Sequence, residues 1–282
     1  MSRIEKAMEK AALLREGFVS HPGERKQSYD NKTSIHIPPV IGTEQKITSD
    51  SPYLVNLNDP HSSTAEEFRK LKSVLVKMTK GEGFFKNTIM VTSAVPNEGK
   101  TLTALNLAIS LAQEFDHTVL LVDADLRRPS VQRYLNVNGK SGFSDCLLGN
   151  TDIGETIVGT GIGKLSVIQA GRAVPNPVEL FTSHKMRDLI EEMKYRYNDR
   201  YLIFDTPPIL PFAETRSLAN LVDGVLFVVK ERLASQENIK EAVEALKGCE
   251  LLGIIYNDAM LDNHDERYSY YRQYAAKTAK TS

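Results

Sequence analysis

Short apolar runs alternate with helical segments from Asn87 to Asp258. The runs are rich in aliphatic and β-branched residues, which is typical of buried strands. The segments between them repeat their apolar residues at helical spacing, which is typical of helices packed on a sheet. This alternation predicts an α/β fold, a mostly parallel sheet with helices on both faces. The predicted strands cover residues 88–93, 118–123, 165–170, 201–205, 224–229 and 251–257.

The residues on either side of this region are more polar and less regular. Residues 3–16 predict a short amphipathic helix that Gly17 ends, followed by a flexible, proline-containing linker to about residue 60. A capping box, Ser63-Thr64-Ala65-Glu66, predicts the start of a helix that runs to about Met78. We therefore expect three parts: the helix and linker over 1–60, a folded domain over 61–262 and a flexible tail over 263–282.

The loop after the first predicted strand has the sequence Ala94-Val95-Pro96-Asn97-Glu98-Gly99-Lys100-Thr101. A strand, a tight loop and Gly-Lys-Thr at a helix start form the layout of a phosphate-binding P-loop. The backbone N–H groups of such a loop surround phosphate oxygens, with the positive end of the helix dipole behind them. Lys100 is expected to reach the outer phosphates and the Thr101 hydroxyl to hold Mg²⁺. The predicted nucleotide-binding residues of the loop are Pro96, Asn97, Glu98, Gly99, Lys100, Thr101 and Leu102.

The loop departs from the usual motif at its first position, where Ala94 stands in place of glycine. Glycine is favoured there because the turn is tight and the backbone approaches the ligand closely. Alanine is the smallest change, and the apolar residues after Thr101 recur at helical spacing, so the context still favours a P-loop. An ordinary turn between a strand and a helix is the alternative.

Three aspartates follow two of the other predicted strands. Asp123 and Asp125 come after the apolar run 119–122, and Asp205 ends the run 201–204. Ligands of open parallel sheets bind beyond the carboxyl ends of the strands, so the three carboxylates are expected beside the phosphates. A helix cap or a turn explains one such aspartate. Three of them beside a P-loop favour Mg²⁺ between the carboxylates and the phosphates.

The composition limits the other classes of function. The formal net charge of −1 gives no reason to expect nucleic acid or an anionic membrane as the main partner. Cys146 and Cys249 are isolated and lack the spacing of a zinc site, which favours buried thiols in a reducing compartment. The amino terminus is not a secretory signal, and no apolar run reaches membrane-spanning length. These features predict a soluble, cytoplasmic protein.

Together these motifs resemble the bacterial tyrosine autokinases that regulate capsule and exopolysaccharide synthesis. The resemblance covers roughly residues 61–275. Residues 94–101 are similar to the family's Walker A motif, 122–127 to its second Walker motif and 203–208 to its Walker B motif. Residues 171–180, from Gly-Arg to Asn-Pro-Val-Glu-Leu, also resemble a stretch typical of the family. The resemblance implies a P-loop NTPase fold and a protein-tyrosine kinase that uses ATP and Mg²⁺.

The resemblance also implies a role for each residue of the site. Lys100 would neutralise charge on the transferring phosphoryl group, and Asp123 would accept the proton of an incoming tyrosine hydroxyl while Asp125 assists at the metal. Phosphoryl transfer depends mainly on positioning and charge stabilisation, and free tyrosine is protonated at neutral pH. Asn257 would contact the adenine base, with a turn-forming asparagine as an equal alternative. The implied metal ligands are Thr101, Asp123 and Asp205.

The tail carries the implied phosphate acceptors, Tyr268, Tyr270, Tyr271 and Tyr274. Beside a kinase site they indicate a flexible substrate peptide, and an aromatic tail that packs on a neighbour is the alternative. Each phosphate adds about −1.5 to −2 charges, so several would repel one another and push the tail out of an acidic site. The implied function is phosphorylation of this cluster in trans, which regulates exopolysaccharide synthesis and export.

The helix predicted from residue 63 carries Glu66, Arg69 and Lys72 at intervals of three residues. By themselves these residues indicate a solvated charged face with one weak ion pair. The family uses a Glu-x-x-Arg-x-x-Arg helix to assemble a ring, so the resemblance implies a homo-oligomer in which each tail enters a neighbour's active site. Lys72 lacks the bidentate fork of the arginine in the family motif, which weakens the expected contact.

The resemblance further implies separate partners. A membrane polysaccharide co-polymerase would activate this protein through a cytoplasmic segment and recruit it to the inner face of the plasma membrane. An opposing tyrosine phosphatase is expected as well. The amino-terminal helix and linker resemble those of stand-alone kinases encoded with exopolysaccharide or exosortase (PEP-CTERM) systems.

Two other functions stay open at this point. A partitioning or cell-division-site ATPase, acting as a nucleotide-dependent switch, would carry a second lysine where this chain has Val95, and this difference argues against that function. A non-catalytic, ATP-binding scaffold for a polysaccharide synthase fits the same motifs, although intact Lys100, Asp123 and Asp205 favour chemistry.

Overall fold

The computed structural model describes Ser49 and residues 51–81, 84–196 and 199–260. Its strands are β1 Lys80–Gly81, β2 Phe84–Phe85, β3 Thr88–Ser93, β4 Thr118–Asp123, β5 Ile157–Gly159, β6 Leu165–Ile168, β7 Arg200–Asp205, β8 Gly224–Lys230 and β9 Leu251–Asn257. Seven of them form one sheet in the order β5-β6-β4-β7-β3-β8-β9. Neighbouring strands of this sheet run parallel, except for the edge strand β5, which is antiparallel to β6. The predicted α/β fold with a mostly parallel sheet is confirmed.

Helices cover the sheet because its central strands bury side chains on both faces. They are α1 Val55–Asn58, α2 Ser63–Thr79, α3 Lys100–Ala112, α4 Val131–Leu135, α5 Phe143–Leu147, α6 Ile153–Thr156, α7 Pro177–Phe181, α8 His184–Arg196, α9 Ala213–Ala219 and α10 Gln236–Ala245. Successive residues of β3 alternate between two core clusters: Met90 packs in one, and Ile89 and Val91 pack in the other. This arrangement explains why the strands appear in the sequence as continuous apolar runs.

The strand predictions hold to within two residues at each end, and the differences have local causes. The strand predicted over 165–170 ends at Ile168. The carbonyl groups of Gln169 and Ala170 instead accept hydrogen bonds from Phe143 and Ser144 at the start of α5. Edge strand β5 was not predicted, because three residues that include a glycine give too short a pattern.

The last part of the predicted linker belongs to the folded domain, so its interpretation as flexible up to residue 60 is wrong. Leu54 is fully buried, and α1 follows it. The Asn56 side chain donates a hydrogen bond to the Asn106 carbonyl at 2.8 Å, and the Asn56 backbone N–H donates to the Asn106 side chain. These contacts fix α1 against α3, a helix distant in sequence, so local composition could not reveal them.

Helix α2 begins at the predicted place with a different cap. The Ser62 side chain accepts a hydrogen bond from the Ala65 N–H at 3.2 Å, so Ser62 is the capping residue, one position before the predicted Ser63. With Ser62 as the cap, the third helical position is Ala65, and Glu66 cannot close a capping box. The predicted capping box is therefore wrong, although the helix itself is confirmed.

The two cysteines differ in their surroundings. Cys146 is buried in α5, as expected, whereas Cys249 is half-buried in the turn after α10. The expectation of a second fully buried thiol is therefore wrong. The predicted amino-terminal helix over 3–16 and the four tail tyrosines lie outside the described residues.

Candidate active site

Gly99 closes the phosphate-binding loop in a conformation that residues with a side chain rarely adopt. Its φ is +92°, in the left-handed region, and α3 begins at the next residue, Lys100. A Cβ at this position would stand 2.1 Å from the side-chain nitrogen of Asn257, so a side chain would also have no room. Asn97 has a positive φ of 67°, which asparagine tolerates better than most residues. The sequence thus supplies glycine and asparagine where the loop has to turn.

The buried side chain of Glu98 stabilises the loop through hydrogen bonds. It is fully buried, and its carboxylate accepts hydrogen bonds from the Val95 N–H at 2.8 Å and from the Lys230 N–H at 3.3 Å. The Asn257 side chain donates to the Glu98 carbonyl at 2.8 Å. Glu98 and Asn257 therefore hold the loop against the ends of β8 and β9, a role that the sequence did not reveal. The contact of Asn257 with adenine stays a prediction.

Ala94 has a place in the core, which explains alanine at the first motif position. It is fully buried and belongs to the same cluster as Met90. On the other side of the loop, the Ile209 and Leu210 N–H groups donate to the carbonyls of Ser93 and Ala94, at 2.8 and 3.4 Å. Because the methyl group fills core space, it is accommodated where the motif usually has glycine.

Thr101, Asp205 and Ser130 form a hydrogen-bonded chain at the start of α3. The Thr101 hydroxyl donates to one Asp205 oxygen at 2.7 Å, and the Ser130 hydroxyl donates to the Thr101 oxygen at 3.2 Å. The other Asp205 oxygen, Oδ1, is buried and has no hydrogen-bond partner among the described residues. A buried carboxylate oxygen without a partner is costly, which indicates that the site is completed by a further group.

The pKa of Asp205 is raised to about 7. Burial is the main cause, and the charge of Asp125 adds to it, while the Lys100 charge and the Thr101 hydrogen bond act in the opposite direction. The Asp205 carboxyl therefore lies close to its titration point at neutral pH. A cation beside it would shift the balance to the ionised form.

Asp123 lies directly opposite Asp205 in the register of β4 and β7. It is fully buried, and its Oδ2 accepts hydrogen bonds from the Ser130 and Val131 N–H groups, at 3.0 and 3.1 Å. Burial, followed by the charge of Asp205, raises the pKa of Asp123 well above its ordinary value, despite these two hydrogen bonds. The strand-end rule that predicted neighbouring carboxylates is thus confirmed by the geometry.

Asp125 is the aspartate that faces the open cleft. It is 8% exposed, and its Oδ1 accepts a hydrogen bond from the Arg128 N–H at 2.9 Å. The three aspartates therefore differ in exposure: Asp125 faces the cleft, whereas Asp123 and Asp205 are fully buried.

The residues present fit Mg²⁺ bound together with phosphate, although not a metal held by protein alone. Within the described ranges, no group of three or more His, Cys, Asp or Glu side chains is arranged to hold a metal ion. Mg²⁺ commonly takes one or two protein ligands and completes its shell with water and phosphate oxygens. The Thr101 hydroxyl and the unpartnered Asp205 oxygen supply ligands of that type. The structure does not test Asp123 as a third ligand, which stays a prediction.

A cleft of about 880 Å³ opens beside the loop, which is within the usual range for small-molecule sites. Glu98, Asp123 and Asp205 are fully buried and do not line it. The predicted loop residues that line it are Pro96, Asn97, Gly99, Lys100, Thr101 and Leu102.

The arginines that line this cleft were not predicted from the sequence. Arg127 forms an ion pair with the buried carboxylate of Glu214 and lies over the Phe212 ring, 4.6 Å from its centroid. Arg128 and Arg133 also line the cleft and are exposed. The Leu-Arg-Arg sequence after Asp125 was a signal for positive charge here, but Glu214 and Phe212 lie far away in sequence.

The predicted assembly residues on α2 already have partners within the chain. Arg69 pairs with Glu66 at 2.6 Å and also donates to the Pro60 carbonyl at 2.7 Å. Lys72 pairs with Glu114, beyond the end of α3, at 3.1 Å. Lys72 is therefore tied to its own domain, which adds to the difference from the arginine of the family motif.

The fold and the site define a P-loop nucleotide-binding protein: a parallel sheet, a loop with glycine before Lys-Thr, and carboxylates at the neighbouring strand end. In agreement, a family model described as an AAA domain matches residues 87–251. Within the described residues, no helix is both long enough and apolar enough to span a membrane.

Three similar proteins define the family more closely. The tyrosine-protein kinase YwqD of Bacillus subtilis is 35% identical over 220 residues, which cover 77% of this chain and 90% of YwqD. The kinase domain of the Escherichia coli tyrosine kinase Etk has a TM-score of 0.70 at 30% identity, covering 78% of this chain and 85% of that structure. The chimeric protein CapA2B2 has a TM-score of 0.68 at 29% identity, covering 79% and 95%. The chain belongs to the bacterial tyrosine-protein kinases.

Proposed function

We propose that this chain is an ATP- and Mg²⁺-dependent protein-tyrosine autokinase that phosphorylates the tail of a neighbouring copy. The acceptors are Tyr268, Tyr270, Tyr271 and Tyr274. Membership of the bacterial tyrosine-protein kinases supports the activity, and the tyrosine cluster within the same chain supports the choice of substrate.

The pair of buried carboxylates opposite the P-loop is the observation that supports the proposal best. Asp123 and Asp205 occupy the same register position on neighbouring strands, and burial raises the pKa of both groups. Two neighbouring buried carboxylates destabilise the folded protein unless a cation or a proton neutralises their charge. A nucleotide-bound Mg²⁺ would supply that charge and neutralise the charge on the transferring phosphoryl group.

The residues of the chain would act as follows. The loop N–H groups and Lys100 would hold the phosphates, and Thr101 and Asp205 would orient the metal. Asp123 would accept the phenolic proton, because a carboxyl with a raised pKa is better matched to tyrosine than an ordinary aspartate is. The Ser130 and Val131 N–H groups fix its orientation.

The biological role that we propose is regulation of exopolysaccharide synthesis and export. A separate membrane polysaccharide co-polymerase would activate the kinase and recruit it from the cytoplasm to the inner face of the plasma membrane. A tyrosine phosphatase would reverse the modification. As phosphates accumulate on the tail, repulsion by the aspartates of the site would release it.

Incubation of the purified protein with ATP and Mg²⁺, followed by mass spectrometry, tests the activity. We expect phosphotyrosine on the tail of the wild type and none in the Lys100→Ala variant. Release of inorganic phosphate without phosphotyrosine would indicate a nucleotide switch. Nucleotide binding without either product would indicate a scaffold, and both results would contradict the proposal.

A further inference from the structure

Two arginines on the rim of the cleft have positive charges that nothing in the described structure neutralises. Arg128 and Arg133 line the cleft and are exposed. Within residues 51–81, 84–196 and 199–260, neither guanidinium group has an ion-pair or hydrogen-bond partner. The neighbouring Arg127 differs, because Glu214 holds its guanidinium group. The rim therefore offers two charges that remain available to a ligand.

Backbone hydrogen bonds connect the segment that carries these arginines to two aspartates of the site. The Arg128 N–H donates to Asp125 at 2.9 Å, and the N–H groups of Ser130 and Val131 donate to Asp123. Arg133 lies on the same short helix, α4, of which Val131 is fully buried. The segment that carries both arginines therefore also carries the backbone donors to Asp123, and a chain bound in the cleft beside Asp125 can contact these arginines.

We propose that Arg128 and Arg133 bind acidic residues on the amino-terminal side of the tyrosine that is phosphorylated. Guanidinium groups bind carboxylates through two parallel hydrogen bonds, which gives orientation as well as attraction. The inference rests on the proposed kinase function and names the class of acceptor that this site takes: a tyrosine peptide with carboxylates before the tyrosine.

The chain carries an acceptor of this chemistry. Asp262, Asp265 and Glu266 precede Tyr268, the first tyrosine of the tail. An extended chain rises about 3.3 Å per residue, so a carboxylate two or three residues before a tyrosine lies about 7–10 Å away along the chain. We expect such a carboxylate to reach the two arginines while the tyrosine lies in the cleft.

Apolar residues of the same cleft suit the rest of such a peptide. Leu210, Pro211 and Phe212 line the cleft, and the Phe212 ring lies against Arg127. An aromatic ring can pack on these apolar side chains, whereas a carboxylate is stabilised by pairing with an arginine. The apolar residues would therefore bind the phenol ring, and the two arginines would bind the acidic residues.

Peptide phosphorylation by the whole 282-residue chain tests the inference. The enzyme carries Tyr268→Phe, Tyr270→Phe, Tyr271→Phe and Tyr274→Phe, so that its own tail gains no phosphotyrosine and the added peptide is the acceptor. One peptide has the sequence of residues 261–275, and the other has Asp262→Asn, Asp265→Asn and Glu266→Gln. Exposed ion pairs contribute little, so we expect kcat/KM for the acidic peptide to be about fivefold higher, which corresponds to about 1 kcal/mol in total.

The Arg128→Gln/Arg133→Gln variant should reduce this ratio to about one while its affinity for ATP stays unchanged. A matched control, Lys185→Gln/Arg187→Gln, removes two exposed positive charges from α8 outside the cleft and should keep the ratio. Binding of labelled peptide, measured by fluorescence anisotropy with Mg²⁺ and a non-hydrolysable ATP analogue, should show the same preference without turnover.

Several results would overturn the inference, and they differ from failure of the kinase proposal. A ratio that survives in the arginine variant, or that falls equally in the control, would show that the rim does not select the acceptor. A loss of ATP affinity would assign the arginines to the nucleotide. If the protein phosphorylates neither peptide nor its own tail, the kinase proposal fails, and the inference fails with it.

Discussion

At the scale of single residues, the site buries two carboxyl groups at neighbouring positions. Asp123 and Asp205 are fully buried in neighbouring strands, and the pKa of each is raised by burial first. The Lys100 charge offsets part of this cost at Asp205. The remaining cost lowers the free energy of unfolding of the ligand-free protein, so it can be measured in unfolding experiments.

Replacing Asp205 by Asn should stabilise the metal-free protein at alkaline pH. The ordinary pKa of this group is 3.8, and folding raises it to about 7. A carboxyl group whose pKa is raised by folding favours the folded state when the pH is below the pKa of the unfolded chain. This contribution is lost as the pH rises through the pKa of the folded protein. With EDTA present, we expect the Asp205→Asn variant to gain at least about 1 kcal/mol over the wild type at about pH 8, relative to the same comparison at about pH 5.

Urea unfolding at the two pH values measures this difference. The Asp188→Asn control removes an exposed aspartate and should change the stability equally at both. If Asp205→Asn also had the same effect at both pH values, the buried carboxyl would not be the group that titrates.

Asp123 is expected to affect chemistry more than binding. The Asp123→Asn variant keeps a side chain of the same size that can still accept the Ser130 and Val131 hydrogen bonds, but it cannot take a proton from tyrosine. Loss of a general base typically costs about 100-fold or more in rate. We expect kcat for tail phosphorylation to fall by at least about 100-fold, with the Kd for Mg²⁺-ATP changed less than about threefold. A similar loss in binding and in kcat would assign Asp123 to the metal only.

The sequence was informative about this site wherever the chemistry follows from local pattern. A strand end followed by Asp predicted Asp123 and Asp205 together, because parallel strands end at one edge of the sheet. The inward carboxylate of Glu98 and the pair of Arg127 with Glu214 were not predicted. Lys230 and Glu214 lie far away in sequence, so no local spacing reveals their contacts with Glu98 and Arg127.

At the scale of elements, strands were predictable where an apolar run lies between turn residues. Strands β3 and β4 are almost entirely buried and have the predicted bounds. Edge strand β9 is only partly buried, and it also has the predicted bounds because its apolar run ends at Asn257. Helix α1 was missed because its four residues are too few for a helical pattern, and it is fixed by contacts with α3. The stability of such short elements comes from tertiary packing, which sequence periodicity does not record.

Helix α2 offers a direct test of its start. The Ser62 hydroxyl accepts the hydrogen bond from Ala65, so Ser62→Ala should lower the free energy of unfolding by about 1 kcal/mol. Ser63→Ala is the matched control, since Ser63 is the first helical residue and makes no capping bond. Urea unfolding of both variants distinguishes them. A larger effect from Ser63→Ala would restore the capping box predicted from the sequence.

At the scale of the whole molecule, the proposed ring depends on the charged residues Glu66, Arg69 and Lys72 of α2, whose side chains are half-buried. We expect the Glu66→Ala/Arg69→Ala/Lys72→Ala variant to form smaller assemblies, because it removes the charged groups through which the family resemblance implies ring contacts. Light scattering measures the mass. The control Glu67→Ala/Lys70→Ala removes the neighbouring ion pair of the same helix and should keep the assembly. An unchanged mass in the triple variant would exclude this surface from assembly.

Phosphorylation in trans is tested by dividing the two functions between two chains. One chain carries Lys100→Ala and keeps its tail tyrosines, so it can accept phosphate but cannot transfer it. The other chain keeps Lys100 and carries Phe at Tyr268, Tyr270, Tyr271 and Tyr274, so it can transfer phosphate but cannot accept it there. Because the tail of one copy is expected to enter the site of another, mixing the two should yield phosphotyrosine on the Lys100→Ala chain. Mass spectrometry identifies the modified chain by its substitutions.

The dependence on concentration and on assembly makes this test specific. Transfer between copies should become faster as the concentration of the mixed chains rises, and it should slow when both chains also carry the triple alanine substitution on α2. The Glu67→Ala/Lys70→Ala pair, placed in both chains, should leave the rate unchanged. If the mixture gives no phosphotyrosine while the unsubstituted protein modifies its own tail, each tail reaches the active site of its own chain. The ring would then have no role in bringing Asp123 and the acceptor together.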